Sequence, residues 1–161
     1  MSDFAPVPGT VLPRFAGIPT FMRLPHVPLG DPRIGEVEVG LIGAPFDTGT
    51  TNRPGARHGP RQVRDASTMI RAEHGVTGMR PFEAMRCADL GDVGPNPADI
   101  ADTLARMETF YDEVAGHGIR PLTCGGDHLC SLPILRALAR GRPLAMIHFD
   151  SHSDLFAGYF G

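Results

Sequence analysis

The sequence predicts an α/β fold, in which a mostly parallel sheet is covered by helices on both faces. From residue 36 onwards, short β-branched or apolar runs alternate with stretches of helical periodicity, which is typical of successive strand–helix units. The run 144–149 is almost entirely apolar, as expected for a strand buried on both faces. A chain of 161 residues, 42% of them hydrophobic, suits one globular unit. Such sheets bind ligands beyond the carboxyl ends of their strands, so the residues that follow each strand are the candidates for function.

The first 35 residues are predicted to form an extended, proline-rich arm. They contain seven prolines, whose spacing rules out a helix or a central strand. Apolar residues such as Phe15, Ile18 and Phe21 lie between the prolines and are more numerous than a free linker needs. We expect the arm to lie on its own domain or on a neighbouring subunit, with a frayed tail as the alternative.

Two strands and a helix are predicted directly after the arm. Residues 37–43 are a β-branched run that ends in glycine and is followed by Pro45, which predicts a strand. A helix is predicted over 59–71, because Pro60 suits a first helical turn and apolar residues recur on one face. Residues 85–89 are a weaker candidate for the second strand.

The helix that begins near Asn96 has the strongest pattern. Asn96 is a suitable N-cap, Pro97 suits the first helical position, and Gly116 ends the periodic stretch. The apolar residues at helical spacing are Ile100, Leu104, Met107, Tyr111 and Val114. The remaining predicted elements are a strand over 119–123, a helix over 132–140 and the apolar strand over 144–149.

Charge and composition exclude several functions. The 15 basic and 18 acidic residues give a net charge of −3, so no basic field attracts nucleic acid or an anionic membrane. All basic residues are arginine, which excludes lysine Schiff bases and a P-loop lysine. Cys87, Cys124 and Cys130 lack C-x-x-C spacing, which argues against disulfides and thiolate zinc. Without a leader or spanning stretch, we expect a soluble protein of the reducing cytoplasm.

Two strand ends carry side chains suited to metal binding. The first is the CGGDH turn that ends in His128, and the second is the DSHSD segment with Asp150, His152 and Asp154. In an extended chain, residues two apart point the same way, at intervals of roughly 6.5–7 Å. Carboxylate and imidazole donors without a thiolate suit manganese, iron, cobalt or zinc, and the excess of carboxylates favours manganese.

An isolated Asp-x-His-x-Asp is equally typical of a solvated loop. Here it follows an apolar strand, and a second histidine-bearing turn follows the preceding strand, which favours a metal site. A carboxylate in such a site can bridge two metals, whose shared water becomes a nucleophile near neutral pH. The histidines that lack partners at metal-binding spacing are His26, His74, His117 and His148.

These motifs resemble those of the ureohydrolases, the family that includes arginase, agmatinase and the guanidino-acid hydrolases. The resemblance rests on GGDH at 125–128 and HFDSHSD at 148–154. It is supported upstream by GAPFD at 43–47 and RPGARHGPR at 53–61. Parts of the arm, together with TTNR at 50–53, resemble the bacterial guanidinopropionase and guanidinobutyrase branch.

The resemblance implies a three-layer α/β/α arginase-like fold, incomplete in this chain, with 36–161 as the N-terminal part of the ureohydrolase domain. It implies a site for two Mn²⁺ ions, in which His128 binds the first and His152 the second. Asp150 would bridge both ions, and Asp154 would bind the first while accepting a hydrogen bond from a bridging hydroxide.

Asp150 and Asp154 are the catalytic candidates in this scheme. The hydroxide would attack the guanidinium carbon of 3-guanidinopropionate, guanidinobutyrate or agmatine and release urea and an amine. The resemblance also implies a homo-oligomer, either a trimer or a hexamer.

The sequence departs from the family pattern at three points. Leu129 replaces the usual serine after the metal-binding histidine, and Ser151 replaces the common alanine before His152. The family's further metal-binding aspartates and its late glutamate are absent from these residues, so we expect this chain alone to be inactive. The alternatives are a truncated, non-catalytic remnant and an arginase-fold zinc deacetylase, against which the GGDH turn and Asp154 argue.

Two neighbouring motifs have structural as well as functional interpretations. Asp127 is expected either to support a metal ligand or to be an exposed turn residue. The run from Arg57 to Pro60 is expected to hold the start of a helix, although His58 is a candidate for contact with the substrate. No residue is assigned to substrate binding.

Overall fold

A parallel sheet lies at the centre of the fold in the computed structural model, which describes residues 3–158. Within those residues it has three strands, β1 (Val39–Ala44), β2 (Cys87–Asp92) and β3 (Arg120–Gly125), in the order β2-β1-β3. β1 pairs in parallel with both neighbours. The predicted α/β class and parallel pairing are therefore confirmed, with each strand placed one to three residues later than the sequence pattern suggests.

The part of the chain that the structure describes has four α-helices, two of them between β1 and β2, one between β2 and β3, and one after β3. They are α1 (Gly59–Ser67), α2 (Pro81–Ala84), α3 (Ile100–Gly116) and α4 (Ser131–Leu138). Short 3₁₀ turns occupy Phe21–Arg23, Ile34–Glu36, Ala56–His58 and His128–Cys130. None of the described helices has the length and apolar character needed to cross a membrane.

The two faces of the sheet are covered by different parts of the chain. Successive residues of a strand point to opposite faces, and β1 shows this at Leu41 and Ile42. Leu41 packs in a cluster with Phe21 and Leu24 of the arm. Ile42 packs in a second cluster that includes Tyr111 of α3. The sheet is therefore a middle layer, with α1 and the arm's turn at Phe21–Arg23 on one side and α3 on the other.

The predicted N-cap of α3 is wrong. Asp99 caps the helix by accepting a hydrogen bond from the backbone N–H of Asp102 at 3.0 Å. Asn96 instead accepts from the N–H of Ala98 at 3.1 Å and closes a separate turn before the helix. Both residue types cap helices well, so the sequence does not distinguish two candidates three residues apart.

The predicted apolar face of α3 is partly wrong as well. Met107, Tyr111 and Val114 are fully buried, as expected. Ile100 is 42% exposed, and Thr103 takes a buried position instead. The hydroxyl of Thr103 donates to the carbonyl of Asn96 at 2.7 Å, which satisfies its polar atom inside the fold.

The predicted buried strand over 144–149 is not formed. These residues are irregular and exposed, with Ile147 and Phe149 at 83% and 94%. A parallel strand needs a neighbour for its hydrogen bonds and cover on both faces. Within residues 3–158 this segment has neither a neighbouring strand nor cover on its faces. The edge of β3 that points away from β1 has no paired strand among these residues, and Leu122 of β3 is 55% exposed.

The arm packs on its own chain at several points. Phe4, Phe21, Leu24 and Val27 are buried, whereas Phe15 and Ile18 are exposed. Val27 donates its N–H to the carbonyl of Asp89 at 2.9 Å, and Asp89 donates to the carbonyl of Pro25 at 3.0 Å. The arm therefore covers the outer edge of β2, while its boundary near residue 35 stays a prediction.

A buried ion pair holds the arm, α1 and β2 together. Arg64 donates through Nε and Nη2 to both carboxylate oxygens of Asp89, at 2.8 and 2.9 Å. The guanidinium lies 4.2 Å from the ring centre of Phe21, whose N–H also donates to Asp89. Burial alone raises the pKa of Asp89, but the hydrogen bonds from Arg64 and the backbone outweigh it and hold the pKa below its ordinary value.

Replacing Arg64 with methionine leaves the buried Asp89 carboxylate without its counter-charge. We expect the free energy of unfolding of the full-length gene product that contains this chain to fall by about 3–5 kcal/mol. Chemical denaturation followed by circular dichroism measures the change. Arg61→Met, at an exposed position of the same helix, is the matched control and should change the free energy by less than about 0.5 kcal/mol. Equal losses in the two variants would contradict the importance of the pair.

Candidate metal centre

The turn that carries His128 is shaped by glycine and by Asp127. Gly126 has a φ of 65°, and a side chain there would collide with the carbonyl oxygens of Ala44 and Phe46. Asp127 accepts a hydrogen bond from the N–H of Leu129 at 3.0 Å and so caps the 3₁₀ turn over 128–130. The turn therefore presents His128 just beyond the carboxyl end of β3, where such folds bind their ligands.

Four side chains near this strand end form a group suited to a metal ion. The ligand atoms of His128, His148, Asp150 and Asp154 all lie within 4.8 Å of one another. Nδ1 of His128 is 2.6 Å from an oxygen of Asp154 and 3.5 Å from Oδ2 of Asp150. These donors are imidazole nitrogens and carboxylate oxygens, which fit a divalent ion such as Mn²⁺, Fe²⁺ or Zn²⁺.

His152, a predicted ligand, lies beside this group but outside it. Its Nδ1 is 3.6 Å from Oδ1 of Asp150, and its side chain is 78% exposed. The backbone N–H of His152 donates to the same oxygen at 2.9 Å, which holds the pKa of Asp150 below its ordinary value. Asp150 therefore has imidazoles near both oxygens, with His128 on the Oδ2 side and His152 on the Oδ1 side.

Two expectations about this segment are wrong. Residues 150–154 are bent rather than extended, and Asp154 has a φ of 51°, so Asp150, His152 and Asp154 do not point one way. His148 has partners after all, since its Nε2 lies 3.5 Å from Oδ2 of Asp150. The alternation of side chains requires a strand held by its neighbours, and no such ladder forms at 144–149.

A loop beside the donors is held at its base by Asp47, whose role the sequence patterns do not reveal. Asp47 is buried and accepts hydrogen bonds from the N–H of Gly55 at 2.6 Å and from Nε of Arg57 at 2.5 Å. The hydrogen bond from the Arg57 side chain lowers the pKa of Asp47 to about 2. Arg57 therefore has a structural role before α1, while His58 is exposed.

The same loop is tied to the histidine turn by Asp127. Gly49 donates its N–H to Oδ2 of Asp127 at 2.7 Å, and Asp127 donates its own N–H to the carbonyl of Phe46 at 2.8 Å. A side chain at Gly49 would press against Asp127 and Leu129. Burial raises the pKa of Asp127. Asp127 is therefore half-buried rather than an exposed turn residue, and it ties the turn over 128–130 to the loop, while support of a metal ligand stays a prediction.

The loop and the donors line one cavity. Its volume is about 650 Å³, within the range of small-molecule sites. Residues 49–53 form one part of its wall, and His128, Asp150, His152 and Asp154 form another. The arrangement can therefore hold a metal ion and a small polar substrate side by side.

Comparison with known proteins identifies the family. The model described as the arginase family matches residues 37–161. This chain belongs to the arginase family, which confirms the resemblance to the ureohydrolases. Among curated relatives, the guanidinopropionase of Pseudomonas aeruginosa is 54% identical over 156 residues, which cover 97% of this chain and 48% of that protein. The guanidinobutyrase of the same species is 42% identical, with 97% and 49% covered.

Solved structures agree with this assignment. The proclavaminate amidino hydrolase of Streptomyces clavuligerus matches with a TM-score of 0.82 and 39% identity, over 92% of this chain and 48% of that chain. A protein described as a hypothetical agmatinase from Burkholderia thailandensis matches with a TM-score of 0.86 and 31% identity, over 98% and 49%. The arginase-like fold is thus confirmed, and the chain spans about half the length of the relatives it matches.

The lowered pKa of Asp47 predicts how the stability of the loop depends on pH. A carboxylate whose pKa is lower in the folded than in the unfolded protein stabilises the fold when the pH is above its ordinary pKa, which is 3.8 for Asp47. That stabilisation is lost as the pH falls towards about 2. We therefore expect Asp47→Asn to be less stable than the wild type at neutral pH, with a difference that shrinks below about pH 4.

Denaturant titrations of the full-length gene product across this pH range measure the effect. Asp65→Asn is the matched control, because the Asp65 carboxylate lies exposed on α1. A difference between wild type and Asp47→Asn that stays constant down to the lowest pH would contradict the assigned role.

Proposed function

We propose that the full-length gene product containing this chain is a metal-dependent ureohydrolase. It hydrolyses a linear guanidino compound to urea and an amine, and the candidates are 3-guanidinopropionate, 4-guanidinobutyrate and agmatine. The observation that carries the proposal is the group of His128, Asp150 and Asp154 at one cavity beyond the end of β3. Membership of the arginase family and the names of the two Pseudomonas relatives support the substrate class.

The proposal assigns two Mn²⁺ ions to the site, with Asp150 as the bridging ligand. The position of Asp150 supports this, because Oδ2 faces His128 and Oδ1 faces His152. His128 and Asp154 would hold the first ion, and His152 would hold the second. Manganese suits oxygen and imidazole donors. The remaining ligands are assigned to parts of the gene product other than these 161 residues.

The reaction consumes one water molecule. The water oxygen bonds to the guanidinium carbon, and the bond from that carbon to the alkyl-bearing nitrogen breaks. Both protons of the water end on that departing nitrogen, so the products are neutral urea and the protonated amine. A divalent metal supplies a nucleophile at neutral pH by lowering the pKa of water. Asp154 orients the attacking water by accepting a hydrogen bond from it.

The proposal includes a homo-oligomer, a trimer or a hexamer, in the cytoplasm. Phe15 and Ile18 are 85% and 90% exposed on the arm, and subunit interfaces cover side chains of this kind. The free cysteines Cys87, Cys124 and Cys130 fit a reducing compartment. A net charge of −3 argues against nucleic acid as a partner.

Urea release tests the proposed reaction. We expect the full-length gene product, loaded with Mn²⁺, to release urea from at least one of 3-guanidinopropionate, 4-guanidinobutyrate and agmatine. Chelation should abolish the release, and added Mn²⁺ should restore it, because the nucleophile depends on the ion. No urea from any of these compounds, with manganese bound, would refute the proposal and favour a non-catalytic remnant.

Metal content tests the ligand assignment. Because a bridging carboxylate serves two ions, we expect Asp150→Ala to lose both, whereas His128→Ala and His152→Ala should each lose mainly one. Elemental analysis after dialysis measures the content per chain. His148→Ala is the matched control and should keep both ions. Equal content in the Asp150 and His128 variants would contradict the bridge, and a loss in the His148 variant would replace His152 with His148.

A further inference from the structure

The tip of the loop over 49–53 carries the one arginine that lines the cavity within the part of the chain that the structure describes. We propose that Arg53 binds the carboxylate of a guanidino-acid substrate and so selects acids over amines such as agmatine. This inference rests on the proposed function and names the substrate class of the same site. It makes Arg53 a specificity-determining residue.

Arg53 is free to bind a ligand. Its guanidinium is exposed and makes no ion pair or hydrogen bond with residues 3–158, and the same holds for the side chains of Thr51 and Asn52. By contrast, Arg57 is held by Asp47 and Arg64 by Asp89. The loop tip therefore offers one cation and two neutral hydrogen-bonding side chains to the cavity.

The acidic side chains of the cavity are engaged by other groups. Asp127 accepts from the backbone of Gly49 and Leu129. Asp150 and Asp154 lie within 3.5 Å of His128. None of the three forms an ion pair with Arg53 among the described residues. The charge of Arg53 is thus left for a ligand, although three carboxylates share its cavity.

The loop is fixed at both ends, which gives Arg53 a defined position before a ligand arrives. Asp127 binds the N–H of Gly49 on one side of the tip, and Asp47 binds the N–H of Gly55 on the other. A site held in place by hydrogen bonds of this kind loses less entropy when the ligand binds. The two anchors therefore make the tip a pre-formed part of the cavity wall.

A guanidino acid offers a group to each of the two parts of this cavity wall. Under the proposed function its guanidinium carbon is attacked beside Asp150 and Asp154, while its carboxylate is anionic and suits an arginine, whose planar fork pairs with two oxygens. Agmatine carries an ammonium group where the acids carry the carboxylate, and Arg53 would repel it. The same residue can therefore favour one substrate class and disfavour the other.

Steady-state kinetics of Arg53→Gln test the inference in the Mn²⁺-loaded, full-length gene product. Hydrogen bonds to charged groups contribute about 1.5–3 kcal/mol, so we expect KM for 3-guanidinopropionate to rise about 10–100-fold with kcat little changed. KM for agmatine should stay the same or fall. Arg53→Lys should restore part of the lost affinity, and Arg61→Gln, on the exposed side of α1, should behave as the wild type.

A binding measurement separates this inference from the proposed function. Titration calorimetry of 3-aminopropionate, the amine product, into the Mn²⁺-loaded protein should show binding at least about tenfold weaker in Arg53→Gln than in the wild type. That comparison decides the role of Arg53 even if no urea is released. Equal losses for 3-guanidinopropionate and agmatine, an unchanged KM for the acid, or a wild type that prefers agmatine would each overturn the inference and leave the proposed hydrolysis standing.

Discussion

The buried carboxylate of Asp89 holds together three parts of the chain that are far apart in sequence. It lies in β2 and is 1% exposed, so its charge must be met by partners inside the protein. Those partners come from distant parts of the chain: Arg64 of α1, and the backbone N–H of Phe21 in the arm. The arm, the helix and the sheet are therefore fixed by one group. Because α1 begins directly after the 3₁₀ turn at 56–58, this contact also fixes one end of the loop that borders the cavity.

The aspartates around the cavity have different roles because different groups surround them. Asp47 and Asp127 accept several backbone N–H groups, so their oxygens are already used and they serve to hold the loop and the histidine turn. Asp150 and Asp154 face imidazoles at the cavity surface. Carboxylates of this second kind can exchange a histidine contact for a metal ion. Two of the aspartates therefore hold the loop and the turn in place, and the other two offer carboxylate oxygens to the cavity.

The predictions from sequence succeeded where local patterns decide and failed where distant partners decide. The three strands within residues 3–158 and α3 follow from short sequence patterns, and the turn that carries His128 follows from a glycine-rich sequence at a strand end. The strand over 144–149 did not form, because its burial depends on neighbours that local apolarity does not provide. The expectation that His148 lacks partners was wrong for the same reason, while the role of His152 as a ligand stays a prediction. The role of Asp47 was not predicted, because its partners Gly55 and Arg57 lie 8 and 10 residues further along the chain and contact it only when the loop is folded.

The two halves of the candidate site differ in how they are held. The loop that carries Arg53 is anchored by hydrogen bonds to Asp47 and Asp127. Asp150 and Asp154 lie on an exposed segment and meet the end of β3 through His128, with the side chains of His128 and Asp154 46% and 49% exposed. An exposed ion pair contributes only about 0–1 kcal/mol, which is too little to fix a segment of chain. A divalent ion shared by several donors contributes far more and couples binding to order. The loop side of the candidate site is thus ordered by the polypeptide itself, whereas under the proposed function the order of the segment with Asp150 and Asp154 depends on an ion that its donors would bind.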